Sequence, residues 1–203
     1  MPTAAATTTR ARRPAGAGGA LPCAGAEAIL APINAAAAAP GGPFGTVVVT
    51  QDCKPAASAW GAWPPHCVEG SRGQALHGGL AVPAGALRVS KADTQSAFGP
   101  RPAPGALPPP PSALAEALRS RGVREVVVCG LALEYCVLST ALGAADARFD
   151  SVVVVLEASR AFDAASARAS PRGLADAAEA KFRDTGVRVR VVQTFAEALA
   201  EGS

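Results

Sequence analysis

The sequence predicts an α/β protein, a three-layer α/β/α sandwich built on a mainly parallel sheet. Three observations predict it. Two short apolar runs, Val126–Val128 and Val152–Leu156, have the length and β-branched character of strands buried on both faces. Around them the apolar spacing switches to that of helices, so strands and helices alternate along the chain. Asp52, Lys91 and Cys136 each fall at or just past the carboxyl end of a predicted strand, where open parallel sheets bind ligands.

Taken in order, residues 1–17 hold no apolar run and are expected to be disordered, with one domain over 18–203. "PCAGAEAILAPINAAAAA" is helix-prone, with Pro32 expected to kink it or mark a late start. "FGTVVVTQD" reads as a short buried strand, and "LRVSKAD" as a weaker one; both end in polar residues. "PRPAPGALPPPPSA" is a proline-rich connection, extended and on the surface. Beyond it, Ser112–Ser120 is helical, Glu125–Gly130 is a strand and Tyr135–Ala147 is a helix. Ser151–Leu156 is a strand, Pro171–Thr185 a helix, and Val187–Val192 a strand after Gly186.

Composition excludes several functions. The net charge is only +3, without a dense Lys/Arg block, and aromatics are 4%, so neither a nucleic-acid footprint nor a base-stacking surface is expected. No apolar run approaches membrane-spanning length. The five cysteines are odd in number and scattered, which is no disulfide framework and suggests a reducing, cytoplasmic setting. The opening "MPTAAATTTRARRPAGAGGA" carries Arg and Thr but no acid, which fits an organelle transit peptide or a plain disordered start.

The residue pattern alone leaves Cys136 two roles: a nucleophile held at a strand-to-helix turn, or a buried apolar thiol. Longer segments bear on the choice. "GLALEYCV" followed by "STALGAADARFDSVVVVLEASRAF" resembles the nucleophile region of nicotinamidases, in the isochorismatase-like cysteine hydrolase superfamily. "WPPHCVEGSRGQALH" is similar to that group's Trp-Pro-x-His-Cys-Val segment, "VSKADTQSAF" to its lysine segment, and "GGALPCAGAEAILAPINA" to its early Gly-Gly-x-Leu stretch. The resemblance implies an isochorismatase-like hydrolase fold with a six-stranded parallel sheet. It also implies hydrolysis of nicotinamide to nicotinate and ammonia in NAD salvage. Cys136 would attack the amide carbonyl and pass through a thioester, with Lys91 beside it as a cation favouring thiolate. Backbone N–H groups of Ala132 and Cys136 would form the oxyanion hole, next to a cis Leu131–Ala132 peptide. Trp63 would stack on the pyridine ring. The partner expected is a small-molecule amide, with no nucleic acid or membrane partner and with homo-oligomer formation left open.

Two departures shape the expectation. The resembled family carries a general-base aspartate on a first, central strand, whereas no acid precedes Glu27 here. The first strand is therefore expected to be missing and the amino terminus incomplete, since a lost central strand would orphan buried backbone groups at about 1–3 kcal/mol each. The family also implies a divalent metal (zinc, iron or manganese) held through Asp-x-His and a second His. Here the matching residues are Asp52 and His66, with Lys54 at the remaining His position. A lysine ammonium has no lone pair to donate and repels a cation, so weak metal binding is expected. Two other readings follow: a metal-independent hydrolase of another small amide or an isochorismate-like substrate, and a catalytically impaired or dead member that binds a small ligand or partner.

Overall fold

The computed structural model describes residues 3–8, 20–37, 42–92, 94–100 and 112–200, with residues 3–8 described as backbone alone. Six parallel strands form one sheet: β1 (Thr3–Thr8), β2 (Thr46–Asp52), β3 (Leu87–Lys91), β4 (Glu125–Leu131), β5 (Ser151–Arg160) and β6 (Val189–Val192). Their spatial order is β3-β2-β1-β4-β5-β6. The chain winds outward from β1 toward one edge and from β4 toward the other. That reversal leaves a crevice beyond the carboxyl ends of β1 and β4, the usual place for a ligand in an open α/β sheet.

The three layers follow from the alternation of side chains along β4 and β5. Val126, Val128, Val152 and Val154 face one way and pack with Leu114 and Leu118 of α2 (Ala113–Arg119), Leu138, Ala141 and Leu142 of α3 (Leu138–Asp146), and Leu174 of α4 (Pro171–Thr185). Val127, Cys129, Leu131, Val153 and Val155 face the other way, onto Ile33 of α1 (Leu30–Ala37) and onto Phe195 and Ala198 of α5 (Phe195–Ala200). Burial on both faces is why these strands read as unbroken apolar runs. Ser112 caps α2 by accepting from the Ala115 N–H, and Ser170 caps α4 by accepting from the Gly173 N–H. Gly186, in the left-handed region at φ 69°, ends α4.

The missing first strand is corrected. Thr3–Thr8 forms β1 in the middle of the sheet, pairing with β2 from Ala4↔Thr46 to Thr8↔Thr50 and with β4 from Thr3↔Glu125 to Thr8↔Gly130. An Ala/Thr segment has no hydropathic signature of a strand. Flanking strands offer it two complete hydrogen-bond ladders, and β-branched Thr suits a pleated backbone. The disorder expected over residues 1–17 therefore fails for 3–8, and 9–17 lie outside the described residues, as does most of the proline-rich connection.

Other boundaries move less. The first helix is a 3₁₀ turn at Ala26–Ile29 running into α1, so Pro32 sits in the first turn of α1, where its missing N–H is tolerated. The helix expected over Tyr135–Ala147 is a π-helical turn, Leu133–Val137, that continues into α3. Strand β5 runs on to Arg160, past the expected Leu156, because its pairing with β4 shifts register between Val128 and Gly130 and resumes as Gly130↔Ser159. The Ser159 hydroxyl spans the irregularity, accepting from the Gly130 N–H at 3.2 Å and donating to the Val155 carbonyl at 2.7 Å.

Candidate active site

The end of β4 sets the site. Beyond Gly130 the Leu131–Ala132 peptide is cis, as the resemblance implied. The Ala132 carbonyl then accepts from the N–H groups of Tyr135 (3.1 Å) and Val137 (3.2 Å), which winds the π-helical turn. Such turns recur at functional sites because they re-aim one side chain of a helix. Here Cys136, only 1% exposed, reaches the wall of a cavity of about 150 Å³. That wall also includes Asp52, Lys54, His66, Trp60, Trp63, Tyr135 and Phe162.

Candidates scattered over the sequence thus meet at one cavity: Cys136, Asp52, Lys54, His66 and Trp63. Lys91 lies behind that wall. Its buried ammonium donates to the Asp52 carboxylate at 2.7 Å and to the Gln95 carbonyl at 3.0 Å. The pairing is built into the sheet, since Asp52 and Lys91 are register partners at the ends of β2 and β3. The Gln95 side chain in turn accepts from the Ser139 hydroxyl at 3.1 Å, and the Ala97 N–H donates to Thr140. The segment after β3 is therefore tied to the first turn of α3, immediately past Cys136.

Lys54 and His66 are brought together by a single parallel bridge between Lys54 and Val68. The Lys54 N–H donates to the Cys67 carbonyl, and the Glu69 N–H donates to the Lys54 carbonyl. The Lys54 ammonium donates to the Ala92 carbonyl at 3.0 Å. His66 Nδ1 lies 2.8 Å from the Pro64 carbonyl, which can only accept, so that nitrogen carries a hydrogen in this contact.

This donor set does not fit a resident divalent metal. Asp52 is already engaged by the Lys91 ammonium, and Lys54 offers donors where a ligand needs a lone pair. Among the described residues no group of three or more His, Cys, Asp and Glu could hold a metal ion. His77 stands apart from the cavity wall, its Nδ1 accepting from the Gly79 N–H at 3.0 Å.

The aromatic lining exceeds what the sequence reading found. Trp63 meets Tyr135 and Phe162 edge to face, at centroid distances of 5.6 and 5.4 Å, and stays 39% exposed. Trp60 meets His66 in the same way at 5.4 Å. Trp60, Tyr135 and Phe162 were overlooked, and so was Glu134. That carboxylate is fully buried and accepts from the N–H groups of Phe162 and Asp163 at 2.8–3.1 Å, which holds the Phe162 ring at the cavity. A signal existed: an acid set between Leu133 and Tyr135 inside an apolar stretch must find buried donors.

An isochorismatase domain model matches residues 17–193. The nicotinamidase of Acinetobacter baylyi is 31% identical over 172 residues, covering 72% of this chain and 76% of that protein. The crystal structure of PnC1 from L. infantum in complex with nicotinate is 32% identical, with a TM-score of 0.72 over 95% of this chain and 96% of that one. The pyrazinamidase of Pyrococcus horikoshii, solved in complex with zinc, is 26% identical, with a TM-score of 0.70 over 95% of this chain and 99% of its own.

Proposed function

Because this chain belongs to the isochorismatase domain family, we propose that it is an amidohydrolase converting nicotinamide to nicotinate and ammonia, in NAD salvage. The observation that carries the reading is Cys136 at the wall of a ring-sized, aromatic-lined cavity beyond the carboxyl end of β4. A cavity near this volume accepts a single benzene-sized ring.

In the proposed mechanism the Cys136 sulfur adds to the amide carbonyl, and the negative oxygen accepts from the N–H groups of Ala132 and Cys136. Collapse breaks the C–N bond and expels ammonia, leaving a thioester, which water cleaves to release nicotinate and restore the thiol. Lys91 places positive charge behind the wall through its bonds to Asp52 and Gln95. Trp63 packs against the substrate ring. Proton transfer is the weak point. The sequence has no acid before Glu27, and Asp52, the one carboxylate on the wall among the described residues, is paired with Lys91. General acid–base help is worth about 10²–10⁴-fold, so turnover is expected to be slow.

The same observation favours a second reading, a family member that binds the small amide without hydrolysing it. Purified protein incubated with nicotinamide separates them: the hydrolase releases nicotinate and ammonia in equal amounts. Saturable binding with no ammonia would establish the second reading.

A further inference from the structure

We infer that Lys54 selects the ligand of this cavity, taking a hydrogen-bond acceptor on the ring of a small aromatic amide or acid and making a metal-free recognition site. The assignment deepens the hydrolase reading and rests on it for the amide end of the ligand. Four observations support it. Lys54 and Cys136 line the same cavity, so a single small ring can meet both. The Lys54 backbone is fixed on both sides by its bonds to Cys67 and Glu69, so the side chain starts from a set position. An ammonium carries three N–H donors, and among the described residues the Ala92 carbonyl is the one acceptor recorded for it. Asp52, the one carboxylate on the cavity wall among the described residues, is engaged by Lys91.

The chemistry then restricts the ligand. The wall also carries four aromatic rings, Trp60, Trp63, Tyr135 and Phe162, which favour any flat ring alike, beside the polar Asp52, His66, Thr94 and Gln95. Discrimination must come from the polar groups, and a donor rewards a ring nitrogen or carboxylate that a plain phenyl ring lacks. Nicotinamide and nicotinate carry such an acceptor, and benzamide does not.

Occupancy can be read without turnover, because both tryptophans of the chain line the cavity and report on it by fluorescence. Nicotinamide and benzamide would be titrated into chelator-treated Cys136→Ala protein, with Lys54 intact or changed to Met or Gln. The expected result is nicotinamide binding about tenfold to a hundredfold tighter than benzamide, the range for a hydrogen bond to a charged donor. Lys54→Met should lose that preference and keep benzamide affinity. Lys54→Gln, which retains a neutral donor, should keep part of it and serves if the Met variant does not fold. Undiminished preference in either folded variant, or none in the Lys54 protein, would overturn the assignment. So would a preference that appears in the chelator-treated protein only after zinc is added back. Ammonia release by the Cys136-intact chain reports separately: Lys54-dependent binding without ammonia removes the hydrolase reading alone, and ammonia with Lys54-independent binding removes this inference alone.

Discussion

Glu134 is not among the residues lining the Cys136 cavity, yet both its oxygens hold the backbone of Phe162 and Asp163 and thereby the aromatic wall beside Cys136. Glu134→Gln keeps the shape but presents an NH₂ group to those N–H donors. The change should lower stability by about 1–3 kcal/mol, the cost of leaving buried donors unpaired. Urea unfolding checks this, and an unchanged midpoint with unchanged slope would mean the segment after β5 holds itself. At this scale the sequence was a good guide to residue type and a poor one to contact. Cys136, Asp52 and Lys91 could be picked out because reactive side chains at strand ends are conspicuous, whereas His66 and Lys54 stood out only through the family resemblance of their segments. The pairing of Lys91 with Asp52 could not, since it depends on the register of β2 against β3.

At the scale of elements, legibility followed burial. Strands β4 and β5 are buried on both faces and show as apolar runs. Strand β1 (TAAATT) is just as central and shows nothing, because its place is set by ladders to β2 and β4. A proline in β1 should therefore be severe: Ala5→Pro removes an N–H from the centre of the sheet and should abolish cooperative thermal unfolding followed by circular dichroism. Retention of the native melting curve would place β1 outside the folded core. The helical layer carries its own test. Lys181 of α4, 5% exposed, donates to Asp146 at the end of α3 at 2.7 Å. Lys181→Met strands that carboxylate against the helix pair and should cost about 3 kcal/mol in denaturant unfolding, the low end for a broken buried pair because Asp146 is partly exposed. Gly173 explains the tight seat of α4, since a Cβ there would lie 2.1 Å from the Ala167 carbonyl oxygen.

For the whole molecule, the order β3-β2-β1-β4-β5-β6 gathers the ends of β2 and β4, and the bridge from Lys54 to Val68, around one crevice. The α/β class and the place of Cys136 just past a strand end were readable because alternating elements and strand-end residues leave local patterns. The aromatic wall was not, because Trp60, Tyr135 and Phe162 converge only through the sheet. The account as a whole rests on Cys136 carrying the acyl group. The most direct measurement is acid quenching of the protein during exposure to nicotinamide, followed by peptide mass analysis of the wild-type chain and Cys136→Ala, with nicotinate formation recorded in parallel. The account predicts a nicotinoyl mass on the Cys136 peptide of the wild-type chain, and slow nicotinate formation that Cys136→Ala abolishes. Nicotinate formed by Cys136→Ala at the wild-type rate, with no acyl mass on Cys136, would contradict it.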